Sequence, residues 1–85
     1  MARYHIVFAP TAEKQFRDLT KTVRTRVAGA IAKLADNPLL GKQLKGELKE
    51  YRSYRIGDWR VIYFIRHHLI QVEIIRIAHR REVYQ

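Results

Sequence analysis

Residues 51–78 read YRSYRIGDWRVIYFIRHHLIQVEIIRIA, and this stretch decides the fold. Gly57-Asp58 is a turn pair between two β-rich runs, and His67-His68 separates the second run from a third. Three hairpin-linked strands are therefore expected, Tyr51–Ile56, Trp59–Arg66 and Leu69–Ala78. In the middle strand Trp59, Val61, Tyr63 and Ile65 alternate with Arg60, Ile62 and Phe64. Apolar residues in both phases predict a central strand covered on both faces, except where Arg60 reaches out. In the last strand Ile70, Val72 and Ile74 share one phase, whereas Ile75 and Ile77 take the other. That slip fits either a β-bulge or a strand end buried on both sides.

Working outward, Tyr4, Ile6 and Phe8 alternate with His5 and Val7, so Arg3–Phe8 reads as a first strand. Ala9-Pro10-Thr11 ends it, with Thr11 as the expected N-cap of a helix from Ala12 to about Leu19. Ala12, Phe16 and Leu19 line one face of that helix. A second helix is expected from about Thr22 to Ala35, with Val23, Val27, Ala30, Ile31 and Leu34 as its apolar stripe. The short link between them predicts an antiparallel helical hairpin over residues 12–35. Asp36-Asn37-Pro38 stops the second helix, because proline disfavours helix in the residue before it. Leu39–Lys49 is a connecting segment carrying Lys42, Lys45 and Lys49. The order β-α-α-β-β-β predicts an α+β fold, an antiparallel sheet packed on a helical hairpin. One domain is expected over residues 1–85, ending in a basic tail from His79 to Gln85.

Composition narrows the function. Eighty-five residues leave room for a single core, and 47% apolar content argues against disorder. Without cysteine there is no disulfide framework, no thiolate nucleophile and no Cys-type zinc site. No uncharged run approaches the roughly 18 apolar residues of a membrane span, and the N-terminus does not read as a signal peptide. A cytoplasmic protein with no membrane partner is expected. Seventeen Lys and Arg against eight Asp and Glu give a net charge of +9, divided as +4 up to Gly41 and +5 beyond it. This spread of cations, rich in arginine after Gly41, fits a phosphate-bearing partner. A merely solubilising surface is the alternative.

Most catalytic kits are missing. Ser53 is the lone serine and lacks a nucleophile-elbow context, and the four glycines form no phosphate-binding loop. His67 and His68 are read as a solvated turn and His5 as structural, so neither a metal nor a cofactor is expected. What remains is a set of cations and a tyrosine. Arg55 and Arg60 flank the Gly57-Asp58 turn and share a face of the hairpin. The tail His79-Arg80-Arg81-Glu82-Val83-Tyr84 follows the last strand and is placed to fold back over the sheet. Arginines suit stabilisation of charge on a phosphate, histidine suits proton transfer, and tyrosine suits stacking on a base. The plain reading of the same tail is a basic end with Tyr84 as a packing residue.

At these residues the chain resembles the RelE/ParE toxin superfamily. Tyr4-His5-Ile6-Val7-Phe8, the helical hairpin, Asn37-Pro38, Leu44-Lys45-Gly46, the block from Tyr54 to Tyr63 and the closing His79–Tyr84 carry the resemblance in order and at matching spacing. The tail is similar to that of the RelE branch, whose members cut messenger RNA in the ribosomal A site. The ParE branch, which poisons DNA gyrase, usually lacks the terminal tyrosine.

The resemblance implies a RelE-like microbial RNase fold, and roles for five residues. Arg60 would stabilise the transition-state phosphate, and Arg55 would act as a general base or charge stabiliser. Arg80 would stabilise or protonate the leaving group, Tyr84 would stack on the substrate base, and His79 is a further acid or base. One departure stands out. RelE-type strands carry basic residues two apart, whereas here Ser53 occupies one of those positions and Arg52 is the neighbouring cation. Lys42, Lys45, Lys49, Arg52, Arg81, Arg24 and Arg26 are expected to face mRNA and the ribosome. The implied function is that of a type II toxin acting as a metal-independent, ribosome-dependent endoribonuclease. It would be restrained by a cognate RelB-like antitoxin that offers an acidic segment. A ParE-like gyrase poison and an inert RNA- or antitoxin-binding relic are the alternatives.

Overall fold

The structure is a computed structural model and describes residues 3–83. β1 (His5–Phe8) runs directly into α1 (Pro10–Asp18), followed by α2 (Lys21–Asp36). β2 (Lys42–Gln43), β3 (Tyr51–Ile56), β4 (Trp59–Arg66) and β5 (Gln71–His79) complete the sheet, and the short helix α3 (Arg80–Val83) closes the described chain.

Local sequence explains most of the boundaries. α1 starts at Pro10, two residues before the expected Ala12, so Thr11 is not its cap. Ala9 is the N-cap, in extended conformation, and Pro10 holds the first helical position. The Ala9 N–H is already spent on the sheet, donating to the Ile74 carbonyl at 2.9 Å. Proline next brings no N–H to satisfy and a φ preset for helix. Thr20 caps α2 by accepting from the Val23 N–H at 3.4 Å. Asn37 leaves the helix in extended conformation, and its side chain accepts from the Leu39 N–H at 3.2 Å to start a 3₁₀ turn at Pro38.

The sheet order is β1-β5-β4-β3-β2. β2 to β5 reverse direction at each step, as hairpin links require, whereas β1 pairs with β5 in parallel. The sheet is thus mixed at one edge. Two helices, and no tight turn, separate β1 from its sheet partners, so no hairpin sets its direction.

Both helices cover one face. Ala12 of α1 and Val27, Ile31 and Leu34 of α2 pack on Val61, Tyr63, Val72, Ile74 and Ile77. Among the described residues neither α1 nor α2 packs on the opposite, outer face, and Ile62 and Phe64 there are only half-buried. The expected coverage of β4 on both faces is corrected accordingly: both helices are committed to the other side. The phase slip in β5 is a bulge. Ile62 pairs with Arg76 and Tyr63 with Ile74, leaving Ile75 as the extra residue. This returns Ile77 to the core after Val72 and Ile74.

One buried network fastens the lysine-bearing segment to the sheet. Tyr63, fully buried in β4, donates its hydroxyl to the Pro38 carbonyl and accepts from the Gly41 N–H at 2.9 Å. Arg52 then donates to the Gly41 carbonyl at 2.7 Å. Burial pushes the Tyr63 hydroxyl above its usual range, with the Gly41 N–H and the Arg52 charge pulling the other way and Tyr54 adding to the rise. The native state therefore keeps this proton at a pH where an unfolded tyrosine, near 10, releases it. Its contribution is level below about pH 10 and is lost as pH climbs above it. Tyr63→Phe is expected to cost about 1–3 kcal/mol at neutral pH by orphaning Pro38 and Gly41. It is also expected to show a shallower loss of stability between about pH 9 and 11, checked by urea melts of both proteins.

Candidate active site

The outer face is arranged in cross-strand rows. At the hairpin end, Arg55 of β3 lies directly opposite Arg60 of β4, which lies opposite Ala78 of β5. The next row runs Lys42, Ser53, Ile62, Arg76 across all four strands. Residues paired in this way point to the same face, so three arginines and a lysine share one open surface. Like charges directly opposed across a sheet are destabilising. An anion held between Arg55 and Arg60 would offset that repulsion. Ser53 and Ala78 are short and buried, and they form the floor between the longer side chains.

The hairpin end is organised by its turn. Gly57 has φ +58°, which glycine adopts without strain, and its carbonyl accepts from Arg55 Nε at 3.3 Å. Arg80 is tied to the same turn: its N–H donates to the Asp58 carbonyl at 2.7 Å, and its guanidinium lies 3.7 Å from the Asp58 carboxylate. The tail therefore begins beside the arginine pair. Arg26 of α2 also reaches this turn, with its guanidinium packed next to Gly57.

Other expected site residues go elsewhere. Arg52 does not take the place of the cation missing at Ser53. Adjacent strand residues point to opposite faces, and the Arg52 guanidinium is held on the helix side by Gly41. His79 also leaves the arginine face. It pairs with Trp59 across the strands, their rings edge-on at 5.3 Å, and its Nδ1 accepts from the Arg81 N–H at 3.3 Å. Arg24 donates to the Arg17 carbonyl at 3.3 Å and so ties α2 to α1. Lys42, Lys45, Lys49 and Arg81 are exposed. Tyr84 lies outside the described residues.

Arg76 is the cation that sequence reasoning missed. Periodicity alone left its face undefined, because the bulge at Ile75 resets the phase one residue earlier. A groove of about 490 Å³ lies between β1 and the helices and is lined mainly by apolar residues such as Tyr4, Phe16 and Ile31. It holds little charge and is remote from the arginine rows. Among the described residues, no three His, Asp or Glu side chains gather as metal ligands. No described helix is long and apolar enough to cross a membrane.

A helical hairpin on one face of a small mixed sheet, with a row of cations on the other, defines a compact α+β protein suited to a phosphate-bearing ligand. The chain belongs to the RelE/ParE superfamily of type II toxin–antitoxin systems. The family model described as "ParE toxin of type II toxin-antitoxin system, parDE" matches residues 6–84. The chain is similar to Toxin RelE of Mycobacterium tuberculosis, 36% identical over 96% of this chain and 87% of that one. It is also similar to Toxin RelG of the same organism, 32% identical over 96% of this chain and 97% of the relative. Among solved structures, the RelBE2 toxin–antitoxin complex of M. tuberculosis superposes with a TM-score of 0.83 at 32% identity, covering 91% of this chain and 98% of that one. The chain is accordingly a type II toxin of the RelE family.

Proposed function

We propose that this toxin is a metal-independent endoribonuclease that cuts messenger RNA in the ribosomal A site and so blocks translation. The observation that carries the reading is the direct opposition of Arg55 and Arg60 on an open, otherwise small-residue floor. The relatives' names, Toxin RelE and Toxin RelG, support the toxin part of this reading.

RNA brings its own nucleophile. The ribose 2′-oxygen attacks the adjacent phosphorus in line and loses its proton, while the P–O5′ bond breaks. The products are a 2′,3′-cyclic phosphate and a 5′-hydroxyl that has gained a proton. Arg60, half-buried on the middle strand of the sheet, is the principal stabiliser of charge on the non-bridging oxygens, and Arg55 assists from the next strand. Arg80 borders the same end and serves the departing oxygen. Guanidinium groups hold their protons tightly, so these roles are electrostatic. Tyr84 is assigned to base stacking, and His79 acts on this site only by orienting the start of the tail. Lys42, Lys45, Lys49 and Arg26 supply ribosomal RNA contacts. A RelB-type antitoxin with an acidic segment is the restraining partner in the cytoplasm, in keeping with the complex formed by the similar RelBE2 toxin.

The deciding experiment adds purified toxin to ribosomes programmed with a defined message and maps cuts by primer extension. Cleavage at the A-site codon, absent on the same RNA without ribosomes, is the expected result. A second reading, a gyrase poison, draws on the ParE description of the matching family model. No cleavage, together with inhibition of gyrase supercoiling, would select it.

A further inference from the structure

We infer that the cleft beside the arginine rows is a nucleobase pocket with Arg76 at its mouth, through which the toxin itself reads one nucleotide next to the bond it cuts. This rests on the nuclease reading above and adds a substrate contact to it.

The cleft holds about 300 Å³ and is lined by Leu44, Leu48, Tyr51, Ile62, Ile75 and Arg76. That volume lies at the lower end of small-ligand sites, which run from about 300 to 1,000 Å³. Its walls come from separate parts of the chain. The β5 bulge brings Ile75 and Arg76, consecutive in sequence, to the same cleft. Leu44 is held beside β3 by its N–H, which donates to the Tyr51 carbonyl at 3.0 Å, and Leu48 follows 53% exposed. Tyr51 is braced edge-on by Phe64, ring centroids 5.7 Å apart.

Charge and shape together select the occupant. An apolar slot alone would accept any greasy side chain, but this one has a guanidinium on its rim and the Arg55–Arg60 row beside it. Ile62 stands one side-chain period from Arg60 on the same face, about 6.7 Å along the strand. A nucleotide whose phosphate sits on Arg55 and Arg60 thus has a base within reach of the slot, with Arg76 able to take the adjoining phosphate. Base stacking on an aromatic wall is worth about 1–3 kcal/mol in single-strand binders.

The test measures binding of a fluorescein-labelled tetraribonucleotide and of matched RNAs carrying one abasic nucleotide, by anisotropy at low salt. At one position, loss of the base is expected to weaken binding about tenfold. Leu48→Ala, at an exposed position, and separately Tyr51→Ala are expected to abolish that discrimination while leaving affinity for the abasic RNA unchanged. Arg76→Ala is expected to weaken both RNAs by a similar factor. Equal affinity for intact and abasic RNA at every position overturns the pocket. So does discrimination that survives both cleft variants, and if these variants lose antitoxin binding in its place, the cleft belongs to a protein side chain. In either case a loss of RNA binding in Arg60→Ala leaves the nuclease reading standing. If Arg60→Ala leaves both affinities untouched, Arg60 is not the phosphate contact from which the pocket is placed and the pocket fails, while cleavage on programmed ribosomes tests the nuclease reading separately.

Discussion

Arg60→Ala is expected to lower A-site cleavage by about 10²–10³-fold, equivalent to roughly 2.7–4 kcal/mol, the effect of deleting one preorganised donor to a developing oxyanion. Two features set this magnitude. Arg60 lies on β4 between two other strands, so its backbone is fixed on both sides before substrate arrives. Its guanidinium is also half-buried, where its field is less screened than at Arg55. Arg60 stands on the outer face and is not part of the core cluster, so the thermal midpoint should stay close to that of the parent. Single-turnover cleavage on programmed ribosomes and a thermal melt of the same sample separate the two effects. In direct RNA titrations the salt slope should fall by about one, as expected for a lost phosphate contact. Undiminished cleavage in a folded Arg60→Ala protein would remove Arg60 from the site.

Gly41→Ala should do the reverse, unsettling the fold through a residue that touches no substrate. A methyl group there would stand 2.7 Å from Tyr63 Cε1 and 2.8 Å from Cζ. The ring has little room to yield, because Tyr63 is fully buried and bonded on two sides. Overpacking of this kind costs about 1–3 kcal/mol, and the hydrogen bonds displaced with it cost more. A total near 3 kcal/mol is expected, large beside the roughly 4–13 kcal/mol typical of a chain this size. The corresponding drop in thermal midpoint is roughly 12–24 °C. Because the same network anchors the segment carrying Lys42, Lys45 and Lys49, RNA affinity should also fall before global unfolding. A melt within about 2 °C of the parent would show that the segment is not pinned as described.

The two predictions differ in how visible their residues were beforehand. Arg55 and Arg60 could be placed on one face from sequence, since a two-residue Gly57-Asp58 turn allows few registers. The α+β order, the helical stripe of Val27, Ile31 and Leu34, and the stop at Asn37-Pro38 were legible for the same reason: each depends on neighbours within a few residues. The Gly41–Tyr63–Pro38 network was not legible, because Tyr63 lies more than twenty positions from both of its partners and meets them only when α2 docks on β4.

The same divide runs through the site. Short-range sequence established the strands, the hairpin and the excess of cations, because strand period and turn chemistry are local properties. Tertiary structure alone decided which cations share a face. A single bulged residue at Ile75 put Arg76 beside the apolar cleft. A hydrogen bond to Gly41 drew Arg52 to the helix side, and packing on Trp59 turned His79 away from Arg60. Adjacent strand residues face opposite ways, so one residue of register decides whether a charge meets substrate or supports the fold. That register is set by long-range pairing.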